Sequence, residues 1–82
     1  MKKKAIIISI KGHQLTLKEK TLLSKENPWG LILFKRNIKS LSQLKRLILS
    51  IRNTTKDKYF PILIDEEGGT VTRISRIIKH EL

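Results

Sequence analysis

Asp65, Glu66 and Glu67 stand in a row, followed by Gly68-Gly69 and, after Thr70-Val71-Thr72, by Arg73. These residues are the best equipped in the chain for chemistry. Carboxylates exchange protons, ligate hard cations or accept hydrogen bonds, and glycines admit a positive φ or a close backbone approach. Spacing narrows the choice. Neighbours on an extended segment point to opposite faces, so three adjacent carboxylates do not converge as an acid/base pair without a sharp turn. A two-carboxylate displacement site needs its carboxyl groups about 5–5.5 Å apart, normally from different segments. Cation binding lacks nearby histidines or further acids, and the double glycine alone reads more readily as a turn than as a phosphate cradle. From these residues by themselves, a solvated strand-to-loop transition and a site remain equally open.

The elements that must position them follow from hydrophobic periodicity. Ala5 to Ile10 is a continuous apolar run between charge and Gly12, which predicts a buried strand. Thr16-Leu17-Lys18-Glu19 fits a capping box opening a helix from about Leu17 to Lys25, with Leu22 and Leu23 inward and Asn27-Pro28 ending it. Trp29 to Phe34 predicts a second buried strand that stops at Lys35-Arg36-Asn37. Ser40-Leu41-Ser42-Gln43 is a second capping box. The helix behind it carries Leu41, Leu44, Ile48 and Ile51 toward the core and turns Lys45 and Arg52 outward. A polar loop from Asn53 to Lys58 leads to a third strand, Tyr59 to Ile64, with Pro61 near its start. The order is βαβαβ, an α/β arrangement with a parallel sheet whose crossovers are expected to be right-handed. Such a sheet delivers polar residues at the C-terminal ends of its strands, where Asp65 stands. Three parallel strands leave both edges unpaired, so the chain reads as a piece of a larger domain.

Size and composition set outer bounds. Eighty-two residues make at most one small domain with a thin core. No cysteine is present, which removes disulfides and thiolate metal sites and fits a reducing compartment. The net charge of +11 suggests a polyanionic partner, yet the lysines are scattered, the one run being Lys2-Lys3-Lys4. Joint enrichment in lysine and isoleucine is what AT-rich coding sequence produces, and the few aromatics do not interleave with the basic residues, so nucleic-acid binding is not expected. The apolar run after the N-terminal lysines is too short for an export signal, and no stretch approaches the roughly 20 apolar residues of a membrane span. The final Lys79-His80-Glu81-Leu82 is close to an ER-retention tetrapeptide, read as coincidence for want of an entry signal.

A resemblance then adds to this reading. Trp29-Gly30-Leu31-Ile32-Leu33-Phe34-Lys35-Arg36-Asn37-Ile38, then Ser42-Gln43-Leu44, then Ile62-Leu63-Ile64-Asp65-Glu66-Glu67-Gly68-Gly69-x-Val71-x-Arg73, resembles the start of glycoside hydrolase family 3. The similarity is greatest to the bacterial β-N-acetylhexosaminidase branch used in peptidoglycan recycling. Motifs in the right order, at the right separation and on predicted strand ends are more specific together than singly. The resemblance implies a TIM-type (β/α)8 barrel of about 250 residues or more, with sugar bound at the C-terminal ends of the strands. Residues 1–82 are then the first three strands of that barrel and no complete domain.

The resemblance also implies roles. Asp65 holds hydroxyls of the terminal sugar and Arg73, eight positions on, contacts the substrate. Arg36, Asn37, Glu67, Gly68 and Gly69 are expected to support the site. Glu66 stands where the family usually has glutamine, and Thr70 where it has arginine, which removes an ion-pair partner for Glu66 or Glu67. The family's nucleophilic aspartate and its proton-donating histidine lie on later segments without counterpart here. His13 and His80 match no catalytic position, so this chain has no catalytic residue of its own and is expected to be inert. No metal or cofactor is implied. The expected partners are a muropeptide carrying N-acetylglucosamine and the rest of the barrel, with no membrane, in the cytoplasm. A β-glucosidase-type member of the family and a non-enzymatic basic binding module or remnant are the alternatives.

Overall fold

The computed structural model of the chain describes residues 4–66 and 70–72. Strand β1 (Lys4–Ser9) is followed by helix α1 (Leu17–Glu26), strand β2 (Pro28–Leu33), a 3-10 turn (Lys35–Asn37), helix α2 (Leu41–Thr55), strand β3 (Ile62–Glu66) and strand β4 (Thr70–Thr72). The sheet runs in the order β1-β2-β3-β4. β1, β2 and β3 are parallel, with Ile7 opposite Gly30, Ile32 opposite Leu63 and Leu33 opposite Ile64. β4 returns antiparallel to β3, pairing Val71 with Asp65 and Thr70 with Glu66. This fourth strand corrects the expectation of three strands followed by a loop. The three residues Thr70–Thr72 are too short a segment to announce a strand by periodicity, and pairing with β3 is what makes them one.

Both helices begin where the capping boxes predict. The Thr16 hydroxyl accepts from the Glu19 amide while the Glu19 carboxylate accepts from the Thr16 amide. Ser40 and Gln43 exchange the same pair of bonds at the start of α2. Each helix closes on a left-handed residue, Asn27 (φ 47°) and Lys56 (φ 58°), whose amide returns to the carbonyls of the last turn. Asparagine tolerates that conformation better than lysine does.

α1 and α2 cover one face of the sheet. Strand alternation puts Leu31 and Leu33 of β2 and Ile62 and Ile64 of β3 against Leu23, Leu44, Leu47, Ile48 and Ile51 of the helices, with Ile10, Leu15 and Phe60 closing the cluster. Among the described residues no helix covers the opposite face, which carries Ile7, Ile32, Leu63 and Asp65. β1 therefore corrects the sequence reading of a buried strand: Ile6 and Ile7 are 43% and 51% exposed. β1 is an edge strand paired only to β2, and burial on both faces requires neighbours that the described residues do not supply. Gly30 sits where β2 and the approach to β3 come close, since a Cβ there would meet the Pro61 carbonyl oxygen at 3.1 Å.

Other expectations shift with packing. Leu22 and Leu41 point outward, whereas Arg52, expected on the solvent side, is only 6% exposed. Arg52 stands four residues after Ile48 and so shares its buried stripe. β3 starts later than expected, because the Asp57 carboxylate takes the Tyr59 amide and the Asp57 carbonyl takes the Phe60 amide, prolonging the loop. It also ends later, so Asp65 and Glu66 are strand residues.

Candidate functional site

The C-terminal ends of β1 and β2 are tied together by side chains. Asn37 is completely buried in the 3-10 turn after β2. Its amide nitrogen donates to the Ile10 carbonyl at 3.2 Å and the Gly12 carbonyl at 2.8 Å, while its Oδ1 accepts from the Phe34 amide at 2.8 Å. Arg36 donates to the same Ile10 carbonyl at 3.1 Å and lays its guanidinium 4.8 Å from the centre of the Phe34 ring. In the sequence Gln43 reads only as a capping residue. Its Nε2 also donates to the carbonyls of His13 and Asn37, at 2.7 and 2.9 Å, and its Oε1 accepts from the Lys39 amide. One buried amide thus caps α2 and binds the loop after β1; no sequence signal beyond the capping box announces the second role. Glu19 works likewise at α1, accepting from the Lys11 amide at 2.9 Å. Burial opposes its charge, but the hydrogen bonds from the Thr16 and Lys11 amides outweigh that, and the carboxyl lies below its ordinary value of 4.5.

Asp65 reaches the same end of the sheet from β3. It alternates with Ile62 and Ile64, which face the helices, and therefore stands on the uncovered face with Leu63. Its Oδ1 is buried and has no hydrogen-bond partner among the described residues. A buried carboxylate oxygen without a donor carries a desolvation cost that a ligand's hydroxyl groups can relieve. β3 packs against the 3-10 turn that carries Arg36 and Asn37, so the carboxylate and the clamp belong to one end of the molecule. Within that arrangement Arg36 and Asn37 spend their polar groups on backbone carbonyls and the backbone amide of Phe34, which orders the loops around the strand ends.

The remaining sequence-based assignments, Glu67, Gly68, Gly69, Arg73 and His80, lie outside the described residues. His13 contributes its carbonyl to Gln43. Among the described residues no group of three or more His, Cys, Asp or Glu side chains is placed to hold a metal ion, and no helix is long and apolar enough to cross a membrane.

Comparison with known proteins gives a consistent set of relatives. A β-hexosaminidase of Glaesserella parasuis is 43% identical over 68 residues, covering 83% of this chain and 20% of the relative. One from Haemophilus influenzae (strain Rd) is 42% identical over 69 residues, covering 84% and 19%. Among solved structures, NagZ from Neisseria gonorrhoeae in complex with N-trifluoroacetyl-D-glucosamine superposes with a TM-score of 0.70 at 35% identity, over 87% of this chain and 21% of that one. No family model matches the chain. The chain spans about one fifth of the length of the curated relatives it matches.

Proposed function

We infer that this chain, a relative of the bacterial β-hexosaminidases over 83% of its length, supplies the sugar-holding strand ends of such an enzyme. Its three parallel strands are read as the first three of a TIM-type barrel, and residues 1–82 as the N-terminal part of its catalytic domain. The observation that carries this reading is the Asp65 carboxylate, whose Oδ1 is buried and has no partner among the described residues at the C-terminal end of β3. Ligands of parallel α/β folds are held at that end. An ionised carboxylate accepting from two sugar hydroxyls makes charge-assisted bonds, each stronger than a neutral one. In this reading Arg73 supplies a second polar contact to the sugar, Arg36 and Asn37 order the strand ends beside it, and Glu67, Gly68 and Gly69 are assigned a supporting role.

The reaction proposed for the complete protein is retaining hydrolysis of terminal β-linked N-acetylglucosamine from muropeptide fragments in the cytoplasm. Its nucleophile and proton donor come from segments beyond these residues. The chain alone positions substrate and transfers nothing. Asp65 contributes by fixing the ring so that the anomeric carbon meets groups supplied elsewhere, which is catalysis by orientation.

The test replaces the matching segment of Neisseria gonorrhoeae NagZ with this chain and follows chromophore release from an aryl N-acetyl-β-glucosaminide. The hybrid should hydrolyse it, Asp65→Asn should lower kcat/KM about 100-fold from two weakened charge-assisted bonds, and the isolated chain should release nothing. Full activity of the Asp65→Asn hybrid, or turnover by the isolated chain, contradicts the reading.

A further inference from the structure

The two capping boxes differ in a way that capping does not explain. In both, the side chain three residues past the cap accepts from the cap's amide, a task that glutamate and glutamine both perform. The positive end of the helix dipole favours glutamate there. α1 has it, as Glu19, and the other carboxylate oxygen takes the Lys11 amide. α2 has Gln43 instead, and beneath it stand two carbonyls, those of His13 and Asn37, at 2.7 and 2.9 Å from its Nε2. A carboxylate has no proton to give them. The contacts to the loop, and not the cap, therefore account for an amide at this position.

The loop after β1 is held residue by residue. Asn37 and Arg36 donate to the Ile10 carbonyl, Glu19 accepts from the Lys11 amide, Asn37 donates to the Gly12 carbonyl and Gln43 to the His13 carbonyl. A methyl group added at Gly12 would meet nothing within 4 Å, so the loop is gripped from one side and open on the other. Strand register sets it near Asp65. Ser9 pairs with Ile32 and Leu33 with Ile64, so Ile10, Phe34 and Asp65 lie within one residue of a common level at the strand ends. Gln43 closes the chain of contacts, holding the carbonyl of Asn37 while Asn37 Oδ1 holds the amide of Phe34.

We propose that Gln43 is a positioning residue of the sugar site, whose carboxamide keeps the loop after β1 and the turn after β2 ordered beside Asp65 before a sugar arrives. The role rests on the sugar site proposed for Asp65. Gln43→Glu isolates it, because glutamate keeps the acceptor that the cap needs and removes the two donors. In the full 82-residue chain the Asn37 Nδ2 protons and the Lys11 amide should then exchange with solvent about tenfold faster, as loss of one to two hydrogen bonds requires. The Leu44 amide, which donates to the Ser40 carbonyl at the start of α2, should keep its rate.

In the hybrid with Neisseria gonorrhoeae NagZ, Gln43→Glu should raise KM about tenfold and leave kcat within about twofold, because substrate must first re-order the loop and is then held as before. A variant that merely folded less would lower kcat and leave KM alone. Gln14→Glu, the same change on an exposed side chain of the loop, should alter neither. If Gln43→Glu does not fold, Gln43→Met removes the donors at similar length and should speed the same two exchanges and raise KM likewise. Unchanged exchange at Asn37 and Lys11, an active hybrid whose KM does not move, or an equal rise with Gln14→Glu overturns the positioning role and leaves the sugar site standing. A parent hybrid without activity overturns the sugar site itself, and the positioning role falls with it.

Discussion

Asn37 and Asp65 represent opposite ways of burying a polar side chain. Asn37 loses all contact with water but donates to two carbonyls and accepts from one amide. Asn37→Ala leaves the Gly12 carbonyl and the Phe34 amide without their Asn37 partner, while the Ile10 carbonyl keeps Arg36, and it opens a small cavity. It should cost about 2–4 kcal/mol in denaturant unfolding, from one to two orphaned buried groups; a loss below about 1 kcal/mol would show that the clamp is dispensable. Asp65 shields Oδ1 from water and receives nothing among the described residues in return. Neutralising it should therefore relieve the isolated chain: Asp65→Asn is expected to melt at the same temperature or higher. A clear fall in melting temperature would mean that the carboxylate serves the fold instead. Stability held back at a ligand-facing group is common where function requires a preorganised charge.

At the scale of elements, both helices are anchored twice, by their caps and by the same capping residues reaching back to the loop after β1. Glu19 connects the start of α1 to Lys11, and Gln43 connects the start of α2 to His13. This coupling makes the helix start sensitive to pH. The folded-state value for Glu19 is depressed, so its contribution to stability is fully present above 4.5 and is lost as pH falls through the lower folded value. Thermal melts of the chain and of Glu19→Gln should differ most near neutral pH and converge under acid conditions. A gap that persists unchanged at low pH would assign the stabilisation to packing, not to the charge.

At the scale of the molecule, the described residues cover one face of the sheet and leave the other open. Ile6, Ile7 and Trp29 are substantially exposed, and among the described residues β1 pairs on one side alone. An apolar edge strand of this kind pairs readily with another chain, although the net charge of +11 opposes self-association. The balance should tip with salt. Raising ionic strength is expected to increase the sedimentation coefficient of the isolated chain, and Ile7→Lys, which places a charge on the open face, should suppress that increase. A salt-independent monomer would indicate that the exposed face is not adhesive.

How far the chain could be read without its structure depended on the range of the interactions involved. Capping boxes use residues three apart, and apolar runs bounded by Asn-Pro or Gly mark elements locally. The alternation of strands and helices, both helix starts and the placement of Asp65 at a strand end were accordingly legible. Similarity in motif order carries the proposal of a sugar site, which no local pattern around Asp65-Glu66-Glu67 suggests. Burial was not legible. Ala5 to Ile10 has the composition of a strand covered on both faces, and only the sheet order shows it at an edge. Arg52 reads as a solvated charge until the helix phase sets it on the stripe of Ile48, and Gln43 reads as a cap until the β1 loop arrives beneath it. Sequence determined local conformation because those forces act within a few residues; tertiary structure decided exposure, partnership and orphaned charge because these depend on what the rest of the chain brings alongside.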